Sequence, residues 1–387
     1  MPIILTLALL LLTVIPAMAD QFSLTPSIAV KEEYDDNLFF DVNKDTAKQD
    51  VITTLSPGLA LVNNTERMKA RLSGRLDQSV YAKNNDFNAL DQLYDGAVQY
   101  FMSPQMTLGA TASYTQDSRP DRDIATTGLV LNAMQRNQQR YGLSGDYTFT
   151  EKTYSSFNVE YSLDQYDSPK FSDLEVEKAW LLVLHDFSSL LPATKGRGSI
   201  SYARYSLVDT GIENYGASVG INKSLSEIWS FLLEFGARYT RSSFTGALLS
   251  SESEATGVIG QAVMSYGGEK TQVDFTFKRD LTPASQWSGT AERTDLTFRI
   301  NQRLSYEWWF TLSGGYYINK ADKGELSTQV IDQQTMFIIP GIRYEFSKDL
   351  NLDASYNYTT TKYNVTDTSA DRSLFMVRLS LKHPFFE

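Results

Sequence analysis

The residues best placed for chemistry in this chain are charged side chains at two-residue spacing. Arg67, Lys69, Arg71 and Arg75 are interleaved with Met68, Leu72 and Leu76. In an extended strand this spacing sends the cations to one face and the apolar residues to the other. Asp91 and Asp95 follow the same rule, and Glu234, Arg238, Asp274, Lys278, Arg299 and Arg303 also stand opposite apolar partners. Cations aligned on a water-filled wall attract anions, acidic saccharides included. The competing expectation is a self-neutralising Arg–Asp lattice that stiffens the wall. Tyr81 shares the parity of Arg75, and Tyr317 that of Ser313, so both rings are candidates for stacking on sugars.

Other chemistries find little support. Asp41, Asn43 and Asp45 place oxygen ligands at alternate positions, as a calcium loop begins. Thr46 stands where the loop needs Gly, and Ile52 where it needs Glu, which excludes an EF-hand. A loose site with Asp35 and Asp36, or an ordinary solvated loop, remains. Asp117 to Asp123, with Arg119 and Arg122, reads as a salt-bridged loop or a lipopolysaccharide contact. His185 and His383 are the only histidines, and no G-x-S-x-G elbow accompanies them. No P-loop or dinucleotide fingerprint is present. We therefore assign no catalytic residue and expect neither an enzyme nor a cofactor, an outer-membrane hydrolase being a remote reading. The absence of cysteine excludes a disulfide scaffold, and a net charge of −11 disfavours nucleic acid as a partner.

The elements that must position these residues are strands. Period-2 segments of about ten residues recur throughout. Examples are Phe22-Leu24-Pro26-Ile28-Val30, Met68-Ala70-Leu72-Gly74-Leu76 and Phe375-Val377-Leu379-Leu381. Aromatic residues are abundant, with 22 Tyr, 21 Phe and 5 Trp. Short connections such as Ser103-Pro104-Gln105 alternate with long polar ones at 35–49, 117–137, 165–175, 241–254, 280–291, 319–330 and 361–371. Together these features predict a single all-β, antiparallel, up-and-down transmembrane barrel of about 18 strands, with 16 to 20 as the range. The strand centres fall near 27, 56, 74, 96, 111, 144, 159, 182, 202, 218, 234, 260, 276, 298, 313, 340, 356 and 378. Short turns would face the periplasm, with both termini, and long loops the exterior. A soluble β-propeller or β-helix is the alternative. The segments 176–187 and 336–346 alternate least well, and Pro26, Pro57 and Pro340 would each remove a ladder donor.

The N-terminus precedes this array. Ile3 to Ile15 is apolar apart from threonines, and Pro16 and Ala17-Met18-Ala19 follow. Residues 1–19 read as an export signal with an A-x-A-like site, leaving 20–387 as the barrel. An N-terminal anchor is the alternative.

Several short segments carry a family resemblance. Thr25-Pro26-Ser27-Ile28-Ala29-Val30, followed by Glu33-Tyr34-Asp35-Asp36-Asn37-Leu38-Phe39, resembles the opening of the β-barrel porin-2 family. Ile52-Thr53-Thr54-Leu55-Ser56-Pro57-Gly58-Leu59 and Pro340-Gly341-Ile342-Arg343-Tyr344-Glu345-Phe346 fit as well. The C-terminal Phe375-x-Val377-x-Leu379-x-Leu381 with Phe385-Phe386 resembles an outer-membrane assembly signal, although Glu387 rather than an aromatic is last. The resemblance implies a Gram-negative outer-membrane barrel linked to exopolysaccharide or capsule gene clusters. It implies passive passage of small solutes, or partnership with polysaccharide-export components. Its expected partners are outer-membrane lipid, lipopolysaccharide and the barrel-assembly machinery. A plugged, non-conducting scaffold is the alternative.

Overall fold

The computed structural model describes residues 22–119, 124, 134–167, 172–245, 250–284 and 289–385. Residues 1–19, where an export signal is expected, most of the 117–137 loop, and the terminal Phe386 and Glu387 lie outside the described residues. Eighteen strands run in chain order: β1 (Phe22–Asp35), β2 (Asp50–Asn64), β3 (Met68–Tyr81), β4 (Ala89–Ser103), β5 (Met106–Asp117), β6 (Arg136–Thr150), β7 (Thr153–Tyr166), β8 (Leu174–Asp186) and β9 (Thr194–Leu207) make the first half. The second half is β10 (Thr210–Ser224), β11 (Trp229–Thr245), β12 (Ser250–Gly267), β13 (Thr271–Ala284), β14 (Gly289–Arg303), β15 (Trp308–Ala321), β16 (Ile331–Glu345), β17 (Leu350–Tyr363) and β18 (Thr368–Lys382). Each strand pairs antiparallel with its sequence neighbours, and β1 pairs with β18 to close the sheet. Every centre read from the sequence falls inside an observed strand, β8 and β16 included.

The closed sheet is apolar outside and polar within, the reverse of a soluble core. Leu143 and Phe235 are 66% and 63% exposed on the outer face. Glu33, Asp35, Thr54, Ser56, Arg238, Thr240 and Arg372 are buried on the inner one. Aromatics gather on the outer face in two rows. Toward the long-loop end, Tyr94 stacks with Tyr114, Tyr141 with Tyr161, and Tyr202 meets Tyr215, which meets Tyr239. Toward the short-turn end, Trp229 packs on Tyr266 and Trp308 on Tyr344. Trp229 and Tyr239 lie on one strand, ten residues apart. At about 3.3 Å per residue and a tilt of about 40°, they bracket a band about 25 Å tall.

Two details correct the sequence expectations. The connections on the long-loop side are not uniformly long, for Leu207 and Thr210 are joined by Val208-Asp209 alone. The polar stretches at 241–254 and 280–291 consist largely of strand, because β11 to β14 extend beyond the apolar band. The prolines produce no bulge. The β2–β3 ladder skips from Leu55↔Gln78 to Gly58↔Arg75, and the β16–β17 ladder from Ile338↔Tyr358 to Gly341↔Ser355, with register kept in both. Pro57 and Pro340 therefore remove local pairing on one side only, since β1–β2 and β15–β16 run unbroken past them.

Four apolar clusters sit inside the long-loop half. One unites Leu281, Ala284 and Ala291 of β13–β14 with Ala321, Leu326 and Ile331. Another gathers Phe40, Ile124, Tyr317, Phe337 and Ala370. Phe40, Ile124 and Leu326 belong to connections, and these side chains fold into the barrel mouth and narrow it.

Candidate functional site: the charged lumen

Strand parity decides which charges face inward. On β3, Lys69, Arg71, Arg75 and Asp77 share the face opposite Leu72 and Leu76, as do Asp91 and Asp95 on the paired β4. Glu234 and Arg238 of β11, Asp274 and Lys278 of β13, and Arg299 of β14 also take the inner parity. Arg67 does not join them. It lies exposed in the β2–β3 turn, where its carbonyl accepts the Phe101 amide at 2.8 Å. Arg303 is likewise drawn to a turn. Its guanidinium covers the rings of Tyr306 and Trp309 and donates to the carbonyls of Ser305 and Tyr306.

The inner charges divide by height. In the lower lumen Lys69, Arg71 and Arg299 have no carboxylate partner among the described residues, and Arg71 and Arg299 are exposed to the interior space. Lys69 lies 5.5 Å from the Phe101 ring centre. Asp95 is also exposed there, opposite Ser73 and Ser113. Higher up, charges are taken up in pairs. Arg75 holds Asp77 at 3.0 Å, and Lys278 holds Asp280 at 3.5 Å. Glu234 accepts from Arg197 and Ser199 at 2.9 Å, from Gln261 at 3.3 Å and from Ser218. Arg238 pairs with Glu292 and donates to Thr240 at 2.6 Å. Asp274 accepts Ser265 at 2.7 Å near the short-turn end, and Asp91 accepts Ser118 at 3.2 Å.

Parity in the sequence does not reveal which inner-face charges meet, whether along a strand, across neighbouring strands or from a connection. Glu33 receives Arg119 at 2.6 Å and Lys31 at 2.9 Å. Arg136 reaches Asp117 at 2.7 Å and Asp164 at 3.6 Å. Arg372 donates to Asp35 at 2.8 Å through Nε, with the Phe40 ring 5.1 Å away. Arg140, exposed on the inner face of β6, extends the open set and was visible to parity reasoning, since it alternates with Tyr141 and Leu143.

Neither tyrosine offers a free ring. Tyr317 is 2% exposed and stacks on Phe337 at 5.9 Å. Tyr81 is 8% exposed, packed with Leu38 and Ile52 and edge-on to Phe87. It walls a cavity of about 200 Å³ that Phe39, Arg119 and Arg372 also line. The sugar-stacking role expected of these two rings fails because inward-folding connections cover them.

The oxygen atoms of the 41–45 loop serve the loop itself. Asp41 Oδ1 accepts the Asn43 amide, and Asn43 Oδ1 the Asp45 amide, each at 3.0 Å. The Thr46 hydroxyl donates to Asp41 at 2.7 Å, and these bonds hold the Asp41 carboxyl below its ordinary value. Among the described residues no His, Cys, Asp and Glu group has metal-binding geometry. His185 shares a hydrogen bond with Thr153, and His383 with Asp349, both exposed near the short-turn end.

No family model matches the chain, and no curated protein matches its sequence. Solved structures do resemble its fold. "Copper transporter OprC" aligns at 12% identity with a TM-score of 0.50, covering 89% of this chain and 62% of that one. This chain thus spans less than two thirds of OprC. OccAB4 of Acinetobacter baumannii aligns at 10% identity and TM-score 0.50, covering 95% of this chain and 100% of that one. At such identities the likeness concerns the barrel architecture alone.

Proposed function

We propose that the chain is an outer-membrane channel that passes small solutes by diffusion, with charge preference set in the lower lumen. The observation that carries this reading is the exposed inner-face charge without an ion-pair partner among the described residues: Arg71, Asp95, Arg140 and Arg299 are accessible within a closed wall whose outside is apolar. Ions in that position require water, so the lumen is wet. The apolar band and its two aromatic rows suit a bilayer, with lipopolysaccharide against the upper tyrosines. The likeness to OprC and OccAB4 supports a barrel of outer-membrane type. Export by residues 1–19, membership of the porin-2 family and a link to exopolysaccharide export belong to the same proposal. They rest on the sequence segments quoted above.

Lys69, Arg71 and Arg299 outnumber the open carboxylates Asp95 and Asp274 in the lower lumen, so the preference is for anions. Planar-bilayer recordings test this. Replacing Arg71 and Arg299 by Ala should lower anion-over-cation selectivity at least two-fold, whereas Arg75→Ala should change it little because Asp77 already neutralises Arg75. Unchanged selectivity in the double variant would place the filter elsewhere. A second reading, a non-conducting scaffold, has one favouring observation, namely the packed clusters in the barrel mouth. A folded barrel that stays silent in the bilayer would select it.

A further inference from the structure

The wall of the barrel is split on one side. β12 and β13 pair from Gly267↔Gln272 to Gly260↔Arg279 and no further. Both strands continue upward, β12 through Ser250 and β13 through Ala284. Had the ladder continued, Val258 would oppose Leu281 and Thr256 would oppose Pro283. Among the described residues no ladder pair joins these segments. β12 remains paired with β11 up to Thr245↔Ser250, and β13 with β14 up to Ala284↔Gly289. The two hairpins therefore part as units. The described upper ends of β13 and β14 turn into the lumen, where they meet the 326–327 segment, which explains why Leu281, Thr282, Ala284, Thr290 and Ala291 are buried whatever their parity.

The height of the split matters. The β11–β12 register sets Gly260 beside Phe235 and Thr256 beside Tyr239. The last ladder pair thus lies four residues below the upper tyrosine row, about 10 Å along the barrel axis at the spacing and tilt used above. An unpaired strand edge at that depth leaves backbone polar groups facing lipid, which barrels otherwise avoid.

A latch crosses the split. Arg238, on the inner face of β11, lies across Gly257, where any Cβ would meet its guanidinium at 2.7 Å. From there it reaches Glu292 of β14. The same carboxylate takes Arg279 of β13 at 2.7 Å, and Arg279 also donates to Thr294 at 3.0 Å. Glycine at 257 is what lets the arginine pass over the open edge of β12. Outside the latch the outer face is apolar, with Val258 47% exposed above the last ladder pair and the paired Phe277 and Leu296 exposed below it.

We propose that this split is a lateral portal between the outer leaflet and the lumen, built for amphiphiles with an anionic head and an apolar chain. The chain lies along Val258, Phe277 and Leu296. The head displaces Glu292 from Arg238 and Arg279, so that ligand entry and latch opening are one event. The proposal rests on the barrel spanning the outer membrane but not on axial conduction, and conductance recorded on the same samples separates the two.

The test uses the full mature chain in lipid nanodiscs, with diazirine-bearing dodecanoate as photoprobe and peptide mapping by mass spectrometry. Labelling should concentrate on peptides around Val258 and Leu281. Dodecanoate should compete with it and dodecanol should not, and Glu292→Gln should raise it several-fold. The chain has no cysteine, so T256C/P283C can be joined across the split by a short bis-maleimide. Joining should cut labelling at least five-fold relative to the same unjoined protein, which controls for folding. Labelling spread evenly around the apolar band, or unaffected by joining, would overturn the portal. Equal competition by dodecanol would overturn the anionic head.

Discussion

Arg372 and Asp35 show how much one residue can carry in this wall. Both side chains are almost fully enclosed, and the pair joins the first strand to the last. A charge left alone in such a place is expensive, whereas removing both is far less so. Arg372→Ala should destabilise the barrel by about 3–5 kcal/mol, and R372M together with D35N should recover most of the loss. Urea unfolding in lipid bilayers, followed by electrophoretic heat-modifiability, measures both. Equal losses in the single and double variants would deny the pair its role. Asp41 makes the opposite case, for it is only half-buried, in a surface loop. Its carboxyl is lowered by the Thr46 hydroxyl and the Asn43 amide, so the charged form favours the folded turn. That contribution is complete above the ordinary carboxylate pKa and is lost as pH falls through the lowered one. Amide protection of residues 43–46 should therefore be flat from pH 8 to pH 5 and fall only below the ordinary value of 3.8. Loss of protection near pH 6 would contradict this.

At the scale of the strand, the prolines offer the clearest prediction. Pro57 and Pro340 both stand on the outer face, and each interrupts pairing with a single neighbour. Valine suits the outer face and restores the missing donor. Pro340→Val should raise stability by about 1 kcal/mol, the usual net worth of one hydrogen bond, and Pro57→Val should do the same. A loss of stability in equilibrium unfolding would show that the local conformation, rather than the missing donor, governs these positions. The strand β8 is unusual in another way. Trp180, Leu182 and Leu184 take the inner parity while Leu181 and Val183 take the outer, so it is apolar on both faces. This is why its sequence alternates poorly although it pairs regularly on both sides.

For the whole molecule, the decisive feature is what fills the mouth. The upper ends of β13 and β14, the 322–330 connection and Phe40 narrow the lumen above an open, charged lower half. Replacing residues 281–291 by a two-residue turn should raise single-channel conductance at least two-fold, with the closed sheet below Arg279 intact. Unaltered conductance would locate the narrowest point elsewhere.

The strands were legible because alternation is a local property. A residue and its second neighbour share a face whatever the rest of the chain does, so Lys69, Arg71 and Arg75 could be set opposite Leu72 and Leu76 without a structure. Strand number and the order of pairing followed from the same period. Partner choice was not legible. Arg372 finds Asp35 across 337 positions, and Arg238 finds Glu292 across 54. Such meetings depend on how the barrel closes and which segments fold inward. For the same reason Tyr317 and Tyr81, inward by parity, are covered by neighbours that parity cannot supply. The sequence alone determined a closed, two-faced wall, since nearly every strand, β8 apart, alternates an apolar with a polar face. Only the tertiary structure decided which inner charges stay open and where the wall parts, because both depend on contacts between segments remote along the chain.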